Sequence, residues 1–163
     1  MADTTPRTTF NSLLTSTILY LQAGYPLPAD RFYRSMKKVG VKIGFQADQY
    51  IVLRPGGAQV DGLWADSEGR QATKIKRELI VEPYYRLSLD NSVSNDQITQ
   101  ALLATEDAIV DLLQIWQPDL ALEPYHFLGI APETAEEESA RSWAWSSLRF
   151  SVVFLQALDQ SRQ

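Results

Sequence analysis

The sequence predicts an α+β fold, an antiparallel or mixed sheet with helices packed on one face. Three patterns carry that expectation. At the C-terminal end, residues 141–158, Leu148, Phe150, Val152 and Phe154 alternate with Ser147, Arg149 and Ser151. A period of two sends successive side chains to opposite sides of a pleated sheet. Residues 96–116 instead repeat apolar side chains at helical spacing, and residues 73–89 alternate apolar with charged ones. Each helix has one stripe to bury and the sheet has one greasy face to offer, so layering helices over one sheet face is the natural solution. The other sheet face is expected to stay polar.

Taken in order, Phe10, Leu13, Leu14, Ile18 and Leu21 form the stripe of a first helix that Gly24 and Pro26 end. Pro28 to Val39 reads as a second helix, with Phe32 and Met36 on one side and Arg31, Arg34 and Lys38 on another. Strand patterning follows from Val41 to Arg54, with a turn near Ala47 and Asp48. Pro55, Gly56 and Gly57 predict a further turn. Gly62 to Gln71 is polar and rich in turn formers, as an exposed loop would be. The strand Thr73 to Leu89 places Ile75, Leu79, Val81, Tyr85 and Leu87 opposite Lys74, Lys76, Glu78, Glu82, Arg86 and Ser88. Pro83 within it predicts an edge, a bulge or a break, because proline has no backbone donor. Ser94 and Gln97 match a capping box ahead of the long helix, whose stripe of Ile98, Leu102, Ile109, Leu112, Leu113 and Trp116 runs to Pro118. A short strand within Ala121 to Ile130 and an acidic loop from Pro132 to Ser139 precede the closing strand.

The chain has 163 residues. That length suits a single domain over 1–163, with an ordered core at about 10–158, burying roughly 70% of its unfolded surface. It contains no cysteine, which excludes thiol catalysis, disulfides and Cys-type zinc sites. No apolar run approaches the ~20 residues that span a bilayer, and Leu13 to Ala23 lacks the frame of an export signal. A soluble protein with no membrane partner is the expectation. A net charge of -5 disfavours general affinity for nucleic-acid phosphates. Charge is also uneven: Arg31, Arg34, Lys37, Lys38 and Lys42 crowd one region, and Glu133, Glu136, Glu137 and Glu138 another. Two solvated stretches explain this, as does a contact between subunits in which one patch meets the other.

No reactive constellation stands out. His126 is the single histidine, and no GxSxG elbow accompanies it. Asp107 and Asp111 lie one helical turn apart without a third acid or a histidine, as on a solvated helix face. Asp66, Glu68 and Gly69 lack the remaining ligands of a calcium loop, and Pro55, Gly56 and Gly57 lack the lysine of a phosphate loop. Trp143 and Trp145 share one side of the closing strand; packing suits them better than base stacking, because no basic groove lies beside them. No catalytic residue, cofactor or metal is therefore expected.

This layout resembles the tail terminator and tail-completion (neck) proteins of long-tailed bacteriophages over most of the chain, from about residue 10 to 158. The residues that carry it are the strand Lys74 to Leu89, the helix Asp96 to Trp116, the acidic loop and the strand Trp143 to Leu155. The resemblance implies a structural virion protein, not an enzyme, that forms a homo-oligomeric, usually hexameric ring. Such a ring caps the tail tube and joins it to the head connector or stopper. A sheath is a further candidate partner, and DNA would meet the ring only in passing through its lumen. Location in the tail or neck of the virion follows, with assembly in the host cytoplasm. The resemblance also implies that sheets join around the ring, with Ser147, Arg149 and Ser151 of the polar strand face towards the lumen or a neighbouring subunit; the charge patches add Arg31, Arg34, Lys38, Glu133, Glu136, Glu137 and Glu138 as candidates for subunit contacts. The alternatives are a neck adaptor or stopper, and a small dimeric ligand-binding or enzymatic domain, which would converge polar groups on an apolar pocket.

Overall fold

The computed structural model describes residues 7–35, 48–65, 69, 71–87, 95–132 and 143–156. In chain order these form β1 (Arg7–Thr8), α1 (Phe10–Gly24), a 3-10 turn (Ala29–Arg31), β2 (Phe32–Arg34), β3 (Gln49–Ala65), β4 (Gln71–Arg86), α2 (Asn95–Gln114), β5 (His126–Pro132) and β6 (Trp143–Gln156). The expected α+β class holds. One mixed sheet of six strands runs β1-β6-β4-β3-β2, with β5 also on β6. The β3/β4, β4/β6 and β5/β6 pairs are antiparallel, whereas β1 and β2 join in parallel.

Period-two alternation decides which face each strand gives to the helices. Ile51, Leu53, Leu79, Val81, Leu148, Phe150, Val152 and Phe154 are buried there against Phe10, Leu13, Leu14 and Leu21 of α1 and Ile109 and Leu113 of α2. Burying one such side chain fully contributes roughly 1.5–3 kcal/mol. The Thr9 side chain accepts from the Ser12 amide and caps α1. At its far end, Tyr20 stacks on Trp116 at 4.1 Å and donates to the Leu112 carbonyl at 2.6 Å, tying the two helices together.

Several local expectations are corrected. The stretch read as a second helix is a 3-10 turn followed by β2 through Arg34, because parallel pairing of Phe32 with Ile51 and of Arg34 with Leu53 outcompetes a weak helical pattern. Arg31 and Arg34 therefore do not share a helix face. Pro55, Gly56 and Gly57 do not turn the chain: β3 passes straight through them, and the ladder with β4 absorbs the extra residue as an irregularity between Pro55 and Ala58. The supposed loop from Gly62 is strand up to Ala65, with a second irregularity between Val60 and Leu63 and Gly62 at φ 108°. Pro83 neither breaks nor shifts β4. It sits opposite Ile51, and the ladder to β6 keeps its register on both sides, Val81 facing Leu148 and Tyr84 facing Trp145. Lys38, Met36, the strand start at Val41, Ser94 of the capping box and most of the acidic loop lie outside the described residues.

Gly56 shows why glycine occupies the first irregularity. A β-carbon there would stand 2.8 Å from Cβ of Glu78, whereas one on Gly57 would meet nothing within 4 Å. Gly56→Ala is accordingly expected to lower the unfolding free energy by about 1–3 kcal/mol. Gly57→Ala should stay within about 0.5 kcal/mol. Equal urea midpoints for the two variants would refute the close approach.

Candidate assembly surface

The face of the sheet away from the helices is not the wet surface its alternation suggests. Of Ser147, Arg149, Ser151, Val153 and Leu155, only Arg149 is exposed; Ser147 and Ser151 retain 2% and 4% of their accessible surface. For Ser147 the reason is Glu82. Directly across from Ser147 in the ladder, this carboxylate is fully buried and accepts from Arg54 Nε at 2.9 Å, from Tyr84 Oη at 3.4 Å and from Ser147 Oγ. The serine expected to face a neighbour is thus turned to an internal acid, and buried polar groups of this kind keep their partners. Beside the acid, Tyr50, Val52, Tyr84 and Trp143 form a second, smaller core against which Trp145 packs. Both tryptophans are used in packing, with Trp145 stacked on Tyr84 at 5.5 Å and Trp143 edge-on to Tyr50 at 6.0 Å.

Arg149 does remain at the surface, but engaged. It donates from Nε to Glu78 Oε1 at 2.6 Å and from its terminal nitrogen to Oε2 at 3.1 Å. That hydrogen bonding holds the Glu78 carboxyl below the usual carboxylate range, against a smaller opposing push from burial. Arg34 is likewise spoken for within the subunit, donating to Asn11 Oδ1 and Thr15 Oγ1 of α1. Arg31 pairs with Asp30 at 3.3 Å and lies over the Tyr50 ring. Glu133, Glu136, Glu137, Glu138 and Lys38 lie outside the described residues.

The groups with chemical potential are spread apart. His126, at the exposed start of β5, contacts Glu123 at 3.0 Å. Among the described residues no three His, Cys, Asp or Glu side chains gather as metal ligands would. A groove of about 610 Å³ opens between the end of α1 and α2, lined by Gly24, Tyr25, Tyr85, Ala101, Thr105 and Leu112. Its hydroxyls satisfy one another: Thr105 Oγ1 lies 2.8 Å from Tyr25 Oη and 2.6 Å from Tyr85 Oη, and Gln49 Nε2 donates to Tyr85 at 2.6 Å. Burial pushes the Tyr85 phenol up to about 12, so it stays protonated near neutrality and fastens α2 to β4.

What remains available is backbone at the two sides of the sheet. β2 covers β3 only at Ile51 to Leu53, and among the described residues no strand pairs with the outer side of β3 beyond that point. On the opposite side, β5 pairs with β6 and, among the described residues, with no other strand. Both open edges carry exposed apolar side chains, Val60 and Leu63 on one, Leu128 and Ile130 on the other. Leu63 falls in the stretch from Gly62 whose turn-forming composition reads as a loop, and Val60 lies between that stretch and the turn expected at Pro55 to Gly57, so alternation alone does not reveal them. A signal existed in Val60, Leu63 and Trp64, which are rarely left in the open by a polar loop.

No family model matches the sequence, and no curated protein matches it. Among solved structures, the fold is similar to that of the sheath/tube terminator of the extracellular contractile injection system PVC in its extended state. The TM-score is 0.56 at 15% identity, and the match covers 95% of this chain and 58% of that one. The chain therefore spans little more than half the length of that terminator, and the likeness is one of fold.

The Glu82 cluster makes a quantitative prediction. Arg54→Met strands a buried carboxylate and is expected to destabilise the fold by about 3–5 kcal/mol, while the double variant Arg54→Met/Glu82→Leu recovers most of that loss. Chemical denaturation of the single and double variants checks it; a double variant as unstable as the single one would contradict the assignment.

Proposed function

We propose that this chain is a tail terminator. Copies of it join into a closed, hexameric ring that seats on the end of a tail tube, stops the tube growing and offers its far side to the next component. That component is the head connector or stopper in a phage; in a contractile particle the end of the sheath joins the same ring. The observation that carries the reading is the fold shared over 95% of the chain with a sheath/tube terminator. The order of helices and strands, which resembles that of phage tail-completion proteins, agrees with it.

Physical features fit such a role. A terminator acts by placement, so it needs rigid subunits with open edges more than reactive groups, and the buried Glu82 here is held by Arg54, Tyr84 and Ser147. The net charge of -5 suits a lumen through which DNA slides without adhering. The protein works in the tail or neck of the particle after assembly in the host cytoplasm, and it carries no enzymatic activity.

Sedimentation and negative-stain microscopy of the purified full chain, alone and mixed with tail tubes of the particle it belongs to, test this. Rings with a central opening, and the same rings at one end of each tube, are expected. A chain that stays monomeric at the highest concentration reached and leaves both tube ends bare would overturn the reading.

A further inference from the structure

Among the described residues the sheet has two open edges on opposite sides, the outer side of β3 beyond Leu53 and the outer side of β5. We propose that the outer edge of β3, beyond Leu53, pairs with the outer edge of β5 of the next subunit, so that one sheet continues from copy to copy. This inference rests on the ring proposed above and names the surface that makes it.

Direction favours the pairing. β3 is antiparallel to β4, β4 to β6 and β6 to β5, so β5 runs opposite to β3 within one sheet. Copies held in the same orientation therefore present β5 to the neighbour's β3 as an antiparallel pair, without any subunit turning over. Such a contact uses two different surfaces and is head-to-tail, the type that builds rings when its rotation closes.

Side chains agree with it. Residues directly opposite in a ladder point to the same face. Val60 faces Ile75, which faces Phe154 of the core, and Leu63 faces Thr73, two residues along the same strand. Ile130 faces Leu148, also of the core. Val60, Leu63 and Ile130 thus all project to the helix side of the sheet, at its two opposite edges. They are 66%, 73% and 46% exposed in the single subunit, and joining the edges buries them together as an extension of the core.

Nor are the edges guarded in the usual way, by charge. Between Gly56 and Ala65 the one charged residue is Asp61, which lies 3.7 Å from Lys74 of its own hairpin. β5 carries no Asp, Glu, Lys or Arg at all. The two irregularities of β3 bend that edge, as strands at the rim of a closed sheet are bent.

The pairing also fixes a stagger. Through Arg149 and Ile80, Gly129 of β5 lies level with Arg54 of β3, whereas Val60 sits at the middle of the open stretch. Each copy is therefore displaced along the strands by about six residues, roughly 20 Å, relative to its neighbour. Repeated displacement of one sense closes into a ring when the strands tilt from its axis, the relation that governs barrels.

Because the chain has no cysteine, introduced thiols report on this contact alone. Val60→Cys/Ile130→Cys and, for the adjacent register, Leu63→Cys/Ile130→Cys are oxidised in the full chain and run on non-reducing gels. At least one double variant should give a ladder of covalent multimers. A mixture of the corresponding two single variants should stop at dimers, and neither single variant should cross-link by itself. Rings that form by microscopy while both double variants stay uncross-linked would overturn the edge assignment and leave the terminator reading standing. Dimers from Val60→Cys alone would show a two-fold contact and overturn it as well. A chain that remains monomeric throughout would remove the ring itself, and this contact with it.

Discussion

Because β4 and β6 bury Leu79, Val81, Leu148 and Phe150 beneath the helices and Glu82, Tyr84, Ser147 and Ser151 on the opposite side, the centre of the sheet is occupied on both faces. A one-sided sheet has a broad polar face with which to meet a partner. This one does not. The ion pair of Glu82 with Arg54, reinforced by Ser147 and Tyr84, converts the second face from surface into interior, and the aromatic group of Tyr50, Tyr84 and Trp143 continues it. The proposed assembly therefore uses the edges and not the faces, since among the described residues the outer backbone donors and acceptors of β3 beyond Leu53 and of β5 remain open.

The position of β5 depends on a chain of contacts through the helix layer. Thr17 of α1 lies 2.7 Å from the Tyr125 hydroxyl, and the Tyr125 ring meets Trp116 at 6.2 Å and Phe150 at 6.3 Å. Burial raises the Tyr125 pKa, so this phenol stays neutral and the hydrogen bond to Thr17 persists. The Leu122 amide donates to the Val153 carbonyl at 2.8 Å, filling the gap along β6 between β1 and β5. One edge of the sheet is thereby anchored to both helices. The other is the free side of a long hairpin, stiffened by the bidentate pair of Arg149 with Glu78 beside Gly56.

Much of this architecture was legible in the sequence. The apolar stripe ending at Leu113 and Trp116 marks α2, and the alternation of Leu148, Phe150, Val152 and Phe154 marks β6 and its core face correctly. The reading failed where local residues are overruled by their neighbours across the sheet. Ser147 looks solvated because a lone strand cannot show that Glu82 lies opposite. Pro55, Gly56 and Gly57 look like a turn, yet antiparallel pairing on either side carries the strand through and uses the small residues for a close approach to Glu78. Arg31 and Arg34 look like one helix face until β2 pairs with β3. The candidate assembly surface was the least legible part, since an unpaired edge is a property of the whole sheet and leaves no pattern of its own in the chain.

Amide hydrogen exchange on dilute and concentrated protein separates assembly through the edges of the sheet from assembly through its faces. Those amides of residues 54–65 and 126–132 that point away from β4 and β6 should exchange fast when dilute and slow on assembly, while amides in 147–152 stay protected in both states. Protection that appears on the helix layer instead, with the outer strands of β3 and β5 still exchanging freely in the assembled protein, would contradict assembly through the edges.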